Sequence, residues 1–177
     1  MNILDSRVRL IDALSGWGLR EVRKYPGLEI PSDQSQRIML GMEVVLRHVP
    51  ELIARILLAE PLGVAEQYGV LRVDFGPEEN GKLRLHDGAT VAEAIPRLDP
   101  GHLQKLIEAP DPTPLVCTVQ IDAPDHLVLP IVVYDGWHRA GAWFTRVGQG
   151  CPDRLIADLI KTKHPLVRPS PAYFRPG

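Results

Sequence analysis

IVVYDGWHRAGAW, residues 131–143, combines a strand pattern with a helix pattern. Its first four residues are β-branched or aromatic, which favours a buried strand. Asp135 and Gly136 are typical of a sharp turn, and helical spacing follows at Ala140, Phe144 and Val147. The sequence therefore predicts a strand that turns directly into a helix.

This junction is a candidate anion site. The first backbone N–H groups of a helix have no partner within the helix, and the helix dipole places roughly half a positive charge there. Arg139 adds a planar pair of donors that suits phosphate oxygens, and His138 adds a second group that can carry positive charge. Gly136 is expected to let a ligand approach the backbone, and Gly141 to let the helix lie close on the sheet.

The sequence leaves the roles of several residues at this junction open. Asp135 either caps the helix or holds a divalent cation beside the phosphates. Trp137 either stacks on a base or shields the turn. An ordinary Asp-Gly turn, followed by an amphipathic helix with His138 and Arg139 in solvent, also fits the pattern.

Strands and helices alternate around this junction. Residues 115–121, 128–134 and 154–161 are rich in apolar and β-branched residues and predict three strands. Pro100 suits the first position of a helix that ends by Ala109. Strands interspersed with helices in a unit of this size predict an α+β fold with a mixed sheet.

Two shorter patterns come earlier in the chain. Residues 69–75 and 82–85 look like strands on either side of a loop rich in turn-forming residues, so we expect a hairpin. Thr90 and Glu93 have the spacing of a capping box, and Pro96 is expected to cut short the helix that they begin.

The first third of the chain has a helical pattern. Apolar residues recur at helical spacing after the cap candidates Ser32 and Asp33, and a second apolar stripe follows Pro50. We therefore expect a helical region over residues 1–68, the α+β domain over 69–162, and a basic, proline-rich tail over 163–177.

The composition narrows the class of protein. The 177 residues are 45% hydrophobic and 24% charged, which is typical of globular chains that bury a core. We expect neither a membrane span nor a signal peptide, because charged residues interrupt every apolar run.

Cys117 and Cys151 lack zinc-site spacing, and we interpret them as reduced thiols of a cytoplasmic protein. The net charge of -2 makes any polyanion site a local one.

DGWHR, residues 135–139, resembles the DGxHR signature of the ParB/sulfiredoxin superfamily, in which a strand precedes the signature and small residues follow it. LDPGHLQKLIEA, residues 98–109, is similar to the family's upstream helix, and RLIADLIK, residues 154–161, is similar to its following strand. Together these stretches cover a little over a third of the chain. The resemblance implies a ParB/sulfiredoxin-like mixed sheet with flanking helices, in a domain that binds nucleotides or handles phosphate.

The branches of this superfamily differ in chemistry. The sulfiredoxin branch has a catalytic cysteine where this chain has Trp137, so we do not expect its reductase activity. Partition-type members have a second arginine at the position of His138 and a downstream DNA-binding region, for which about 15 residues after the last strand are too few. The chain most resembles the small plasmid fertility-inhibition proteins, for which ATPase and DNase activities are the family expectation.

The resemblance also implies roles for individual residues. Gly136, Trp137, His138 and Arg139 line the phosphate site. If the protein is a hydrolase, we expect His138 and Arg139 to be catalytic by neutralising charge on phosphate oxygens, and Asp135 by orienting His138 or a bound Mg²⁺ ion. His138 is also a candidate proton donor to a leaving oxygen.

Two further groups are candidates for the same site. His102 and Lys105 lie one helical turn apart, and they either face a nucleotide or face solvent. Asp122, Asp125 and His126 lie in a loop between strands and are candidates for a general base or a magnesium ligand.

Two functions follow from these assignments. The first is a phosphohydrolase that binds ATP or another nucleotide with Mg²⁺, acts as an ATPase or DNase, and inhibits conjugative or T-DNA transfer. The second is a non-catalytic, nucleotide-sensing module whose helical region docks on a protein of a DNA-transfer complex. In both, the tail over residues 163–177 is expected to bind DNA weakly and without sequence preference.

Overall fold

The computed structural model describes residues 1–49, 70–120 and 131–162, which form two compact units. One unit contains Met1–Ser6 and the described residues from Leu71 onward, and the other contains the described residues of Arg7–Val70. The first unit is built around a six-stranded mixed sheet with flanking helices. The prediction of an α+β fold with a mixed sheet is therefore confirmed.

The sheet has the strand order β1-β2-β6-β4-β5-β3. Its strands are β1 (Asn2–Val8), β2 (Val70–Phe75), β3 (Leu83–Leu85), β4 (Leu115–Gln120), β5 (Ile131–Asp135) and β6 (Leu155–Thr162). The α-helices are α1 (Leu10–Val22), α2 (Gln34–His48), α3 (Val91–Ala94), α4 (Pro100–Glu108) and α5 (Trp137–Gly148), and 3-10 helices form at Pro77–Lys82 and Ile95–Arg97.

The pairing of β5 sets the position of the junction. β5 runs parallel to β3 and antiparallel to β4, and β4 runs parallel to β6. Val116 lies opposite Asp135, with a shift in register between Val116 and Cys117. The carboxyl end of β5 therefore lies beside the amino end of β4.

Helix α5 is held between the sheet and α4. Its side chains on the sheet side join a core that contains Val73, Phe75, Leu83, Val91, Leu115, Cys117, Ile131, Val133, Ala140, Trp143, Leu155, Ala157 and Leu159. On α4, Leu103 and Leu106 form a second small core with Ala142 of α5. Burial on both sides fixes α5, whose first turn carries the predicted site.

Gly141 of α5 belongs to the contact with α4. A Cβ atom on Gly141 would lie 2.9 Å from Cδ1 of Leu98 and 3.4 Å from Cδ1 of Leu103. The expectation that this glycine brings the helix close to the sheet is therefore wrong. Ala140 is on the sheet side, and one residue along a helix turns the side chain by about 100°, which points position 141 elsewhere.

The predicted hairpin over residues 69–85 does not form. Both strands exist, but β6, β4 and β5 lie between β2 and β3 in the sheet. The loop forms a 3-10 helix, in which the buried carboxylate of Glu79 accepts a hydrogen bond from the backbone N–H of Gly76 at 2.7 Å. This 3-10 helix carries the chain onward to β3, whereas a hairpin needs a tight turn that reverses its direction.

The predicted helical region begins later than residue 1. Asn2–Val8 form an edge strand of the sheet, so the prediction of helix is wrong there. Ile3 and Leu4 are 61% and 52% exposed, so little apolar surface is buried here. Backbone pairing with β2 holds this strand in the sheet. Short patterns with little burial do not separate strand from helix.

The structure confirms one further helix prediction for this region and does not test the other. Helix α2 begins as expected after Asp33, whose carboxylate accepts from the backbone N–H of Gln36 at 2.9 Å. The second predicted helix, after Pro50, and the basic tail over 163–177 both lie outside the described residues.

Glycines bring α1 and α2 into close contact. A Cβ atom on Gly18 would lie 1.7 Å from the carbonyl oxygen of Gly41, and one on Gly41 would lie 2.2 Å from the carbonyl oxygen of Ser15. No side chain fits in either place, so the two backbones touch only because both positions are glycine.

We predict that Gly18→Ala forces these helices apart and lowers the free energy of unfolding by about 1–3 kcal/mol. Gly16→Ala is the matched control in the same helix. Its Cβ would lie 3.5 Å from Nη1 of Arg20, an ordinary contact, so the better helix propensity of alanine should raise stability by about 0.5–1 kcal/mol. Urea unfolding measures both variants, and equal effects would contradict the close contact.

Candidate functional site

The junction forms as the sequence predicts. β5 ends at Asp135, Gly136 makes the turn, and α5 begins at Trp137. Gly136 has a φ of 96°, in the left-handed region that favours glycine. A Cβ atom there would lie 2.3 Å from Cδ2 of Leu115 and 2.7 Å from Nη2 of Arg139. The glycine is therefore required by the turn and by its own protein neighbours, rather than by the approach of a ligand.

Asp135 and Arg139 form a buried ion pair. Nη2 of Arg139 donates to Oδ2 of Asp135 at 3.0 Å, and Nη1 donates to the carbonyl oxygen of Thr113, also at 3.0 Å. The Arg139 and Asp135 side chains are only 9% and 11% exposed. The guanidinium thus joins the end of β5, the first turn of α5 and the segment before β4.

This ion pair bears on both roles that the sequence left open for Asp135, namely helix cap and cation ligand. Gly136, rather than Asp135, occupies the N-cap position of α5. A carboxylate held by a buried guanidinium is also a poor candidate for a cation ligand, because its charge is already compensated. Within residues 1–49, 70–120 and 131–162, no three His, Cys, Asp or Glu side chains are grouped closely enough to hold a metal ion.

His138 lies where two helices begin. Its Nε2 accepts a hydrogen bond from the backbone N–H of Asp99 at 3.1 Å, and Asp99 is the N-cap residue of α4. Because Nε2 accepts, the ring in this arrangement is neutral, with its proton on Nδ1. The bond brings the amino ends of α4 and α5 together, so their partial positive charges add.

The exposed side of α4 contributes two more residues at this place. The His102 ring meets the His138 ring edge-on, with 4.7 Å between their centroids. Lys105 is exposed and follows His102 by one helical turn. At the amino end of α4, the carboxylate of Asp99 accepts from the backbone N–H of His102 at 2.6 Å. The first turn of α5, by contrast, has no acidic residue. The structure thus brings His102 to His138 and places Lys105 next along the helix.

Trp137 shields the turn. Its Nε1 donates to the carbonyl oxygen of Val133 at 3.0 Å, and its ring stacks on His86, with centroids 4.7 Å apart. Of the two roles left open by the sequence, this geometry favours shielding over a stacking platform for a base. Sequence reasoning missed the position of His86, because the parallel pairing of Leu85 with Val133 brings it to Trp137.

The thiol of Cys117 is buried in the core near the junction. Burial raises the pKa of Cys117 far above its ordinary range, and the negative charge of Asp135 raises it further. The thiol therefore stays protonated and unreactive. Cys151 is also free but is partly exposed.

Comparison of the chain with protein-family models, with curated proteins and with solved structures found no match in any of the three. The family resemblance therefore stays an expectation, and the site is assigned from its own geometry. Over the described part of the chain, no helix combines the length and apolarity needed to cross a lipid bilayer. The candidates Asp122, Asp125 and His126 lie outside the described residues.

Thiol labelling should distinguish the two cysteines. We expect DTNB to modify Cys151 in the folded protein and to reach Cys117 only after unfolding, because Cys117 is buried and protonated. Absorbance of the released thiolate measures both reactions. In the control variant Cys151→Ser no fast reaction should remain, and a fast native reaction there would show that Cys117 is accessible.

Breaking the buried ion pair should cost far more than breaking an exposed one. We expect Arg139→Met to lower the free energy of unfolding by about 3–5 kcal/mol, because it leaves the Asp135 carboxylate buried without its partner. Arg97→Met is the control. It removes an ion pair with Asp87 whose side chains are 50% and 41% exposed, and such pairs contribute about 0–1 kcal/mol.

A double-mutant cycle tests whether this cost comes from the pair itself. With Asp135→Asn added to Arg139→Met, neither charge remains, so the double variant should lose less stability than the two single variants together. Urea unfolding supplies all four values. Strictly additive losses would mean that the two side chains act independently.

Proposed function

We propose that this protein binds the phosphates of a nucleotide where the amino ends of α4 and α5 meet. The observation that carries the proposal is the hydrogen bond between His138 and the backbone of Asp99, which holds the two helix ends together. A helix amino end attracts phosphate through its N–H groups and its dipole. At α4 the Asp99 carboxylate already accepts from the N–H of His102, so the amino end of α5, whose first turn has no acidic residue, supplies more of this attraction.

Side chains around these helix ends favour the same ligand. His102, which meets the His138 ring, can donate a hydrogen bond to a phosphate oxygen, and Lys105, in the last turn of α4 and one helical turn beyond His102, supplies a permanent positive charge. Arg139 is not assigned to the phosphates, because its guanidinium is engaged by Asp135 and Thr113. It acts instead by holding the first turn of α5 in position.

This geometry supports nucleotide sensing better than hydrolysis. For His138 to donate a proton to a leaving oxygen it must first carry two protons, but its Nε2 lone pair is occupied by the N–H of Asp99. Asp135 is paired with Arg139, so the proposal includes no step through a protein-bound cation. The ATPase and DNase activities therefore form the second candidate, which rests on the DGWHR resemblance.

The proposal predicts that Lys105→Met weakens binding of a fluorescent ATP analogue about tenfold, which corresponds to about 1.4 kcal/mol for one lost charged contact. Lys82→Met is the matched control, because this exposed lysine lies before β3, at the opposite end of that strand from the junction. Fluorescence anisotropy at fixed ionic strength measures both affinities. Equal losses in the two variants would mean that binding reflects overall charge and not this site.

Hydrolysis is tested with the same protein. We compare phosphate release from ATP in Mg²⁺ and in EDTA, for the natural sequence and for His138→Gln. ATP that is bound but recovered intact assigns a nucleotide sensor. Release that needs Mg²⁺ and is lost in His138→Gln assigns a phosphohydrolase.

A further inference from the structure

β1 (Asn2–Val8) is an exposed edge strand. Among the described strands it has one neighbour, β2. Ile3 and Leu4, whose side chains point to opposite faces, are both exposed. Proteins often protect an edge strand with proline, lysine or a bulge, and β1 contains neither proline nor lysine. An edge of this kind can extend its sheet by pairing with a further strand.

A row of charged side chains crosses the sheet to this edge. Arg72 of β2 donates to the carboxylate of Asp158 on β6, at 2.9 and 3.1 Å. That hydrogen bonding raises the pKa of Arg72, and the negative charge of Asp5 on β1 raises it further. The guanidinium therefore lies near two carboxylates, and Asp5 forms the end of the row at the sheet edge. Arg7 lies on the same face of β1 as Asp5, because residues two apart in a strand point the same way.

Symmetry limits how two copies of β1 can pair antiparallel. Opposite residues alternate between pairs that exchange both backbone hydrogen bonds and pairs that exchange none, so both members of a pair have the same orientation. A symmetric pairing is therefore centred on one residue that faces its own counterpart. Centring on Asp5 or on Arg7 places like charges directly opposite each other, which is destabilising, and centring on Leu4 places Ile3 opposite Asp5. Centring on Ser6 places Asp5 of each copy opposite Arg7 of the other.

We propose that β1 pairs antiparallel with β1 of a second copy of this chain, centred on Ser6, so that the two sheets join into one. Leu4 of each copy then lies opposite Val8 of the other. The row of charges continues across the junction, because Asp5 at the end of one row meets Arg7 of the second copy. A second copy fits this edge because the strand carries both halves of the charge pair, in the order that its own reversal matches. The dimer uses none of the residues proposed to bind phosphate.

Charge reversal tests the pairing. Asp5→Arg and Arg7→Asp each bring like charges together, so sedimentation velocity of the full chain should show dimers at least tenfold weaker than those of the natural sequence. An equimolar mixture of the two variants should recover dimers, because each supplies the charges that the other lacks. Glu108→Arg, the same change of charge at an exposed position of α4, should have no effect. A natural sequence that stays monomeric, or single variants that dimerise equally well, would overturn the proposal.

Cross-linking locates the centre of the pairing and does not depend on the charge variants. In the Cys151→Ser background, where the remaining cysteine is buried, Ser6→Cys places a thiol opposite its own counterpart. Oxidised glutathione should convert these two thiols to a disulfide that joins the copies, seen as a dimer on non-reducing gels. Leu4→Cys, whose thiol would face Val8, is the matched control and should stay monomeric. Cross-linking at Ser6→Cys that is no better than at Leu4→Cys would rule out the proposed dimer.

Discussion

The buried pair of Asp135 and Arg139 is the interaction on which the rest of this domain depends. It joins the last residue of β5 to the first turn of α5, and through Thr113 it also fixes the segment that leads into β4. Gly136 lies between them with a φ of 96°, in the left-handed region that favours glycine. The proposed nucleotide site lies at the start of the helix that this pair positions.

The pair also shows why residue types alone do not assign a phosphate site. A guanidinium suits carboxylates and phosphates equally well, so an arginine at a helix start is consistent with either partner. Here the carboxylate of Asp135 is buried beside Arg139 and pairs with it, so the role of Arg139 is structural. The neighbouring residue, His138, has a different role. Its imidazole contacts the start of α4, so the amino ends of α4 and α5 lie close together.

Local chemistry made part of this architecture predictable. The helix starts near Asp33, Thr90 and Pro100 were visible because a cap or an N-terminal proline acts within one turn, and the strands predicted over 115–121 and 154–161 were visible from composition. The partners of β2 and β3 were not predictable, because β3 pairs with residues almost 50 positions later and Glu79 stabilises a turn that advances the chain. The ion pair was hidden for a related reason. Asp135 lies before the helix, so its spacing of four from Arg139 is not a helical pair that the sequence identifies.

Under the proposed function, the hydrogen bond between Asp99 and His138 couples ligand binding to the start of α4. Because the N–H of Asp99 donates to Nε2 of His138, a phosphate that displaced the imidazole would also act on the first turn of α4. Leu103 and Leu106 hold the rest of α4 against α5, so such a displacement would leave the remainder of the helix in place. Nucleotide sensing of the proposed kind therefore needs no rearrangement of the core.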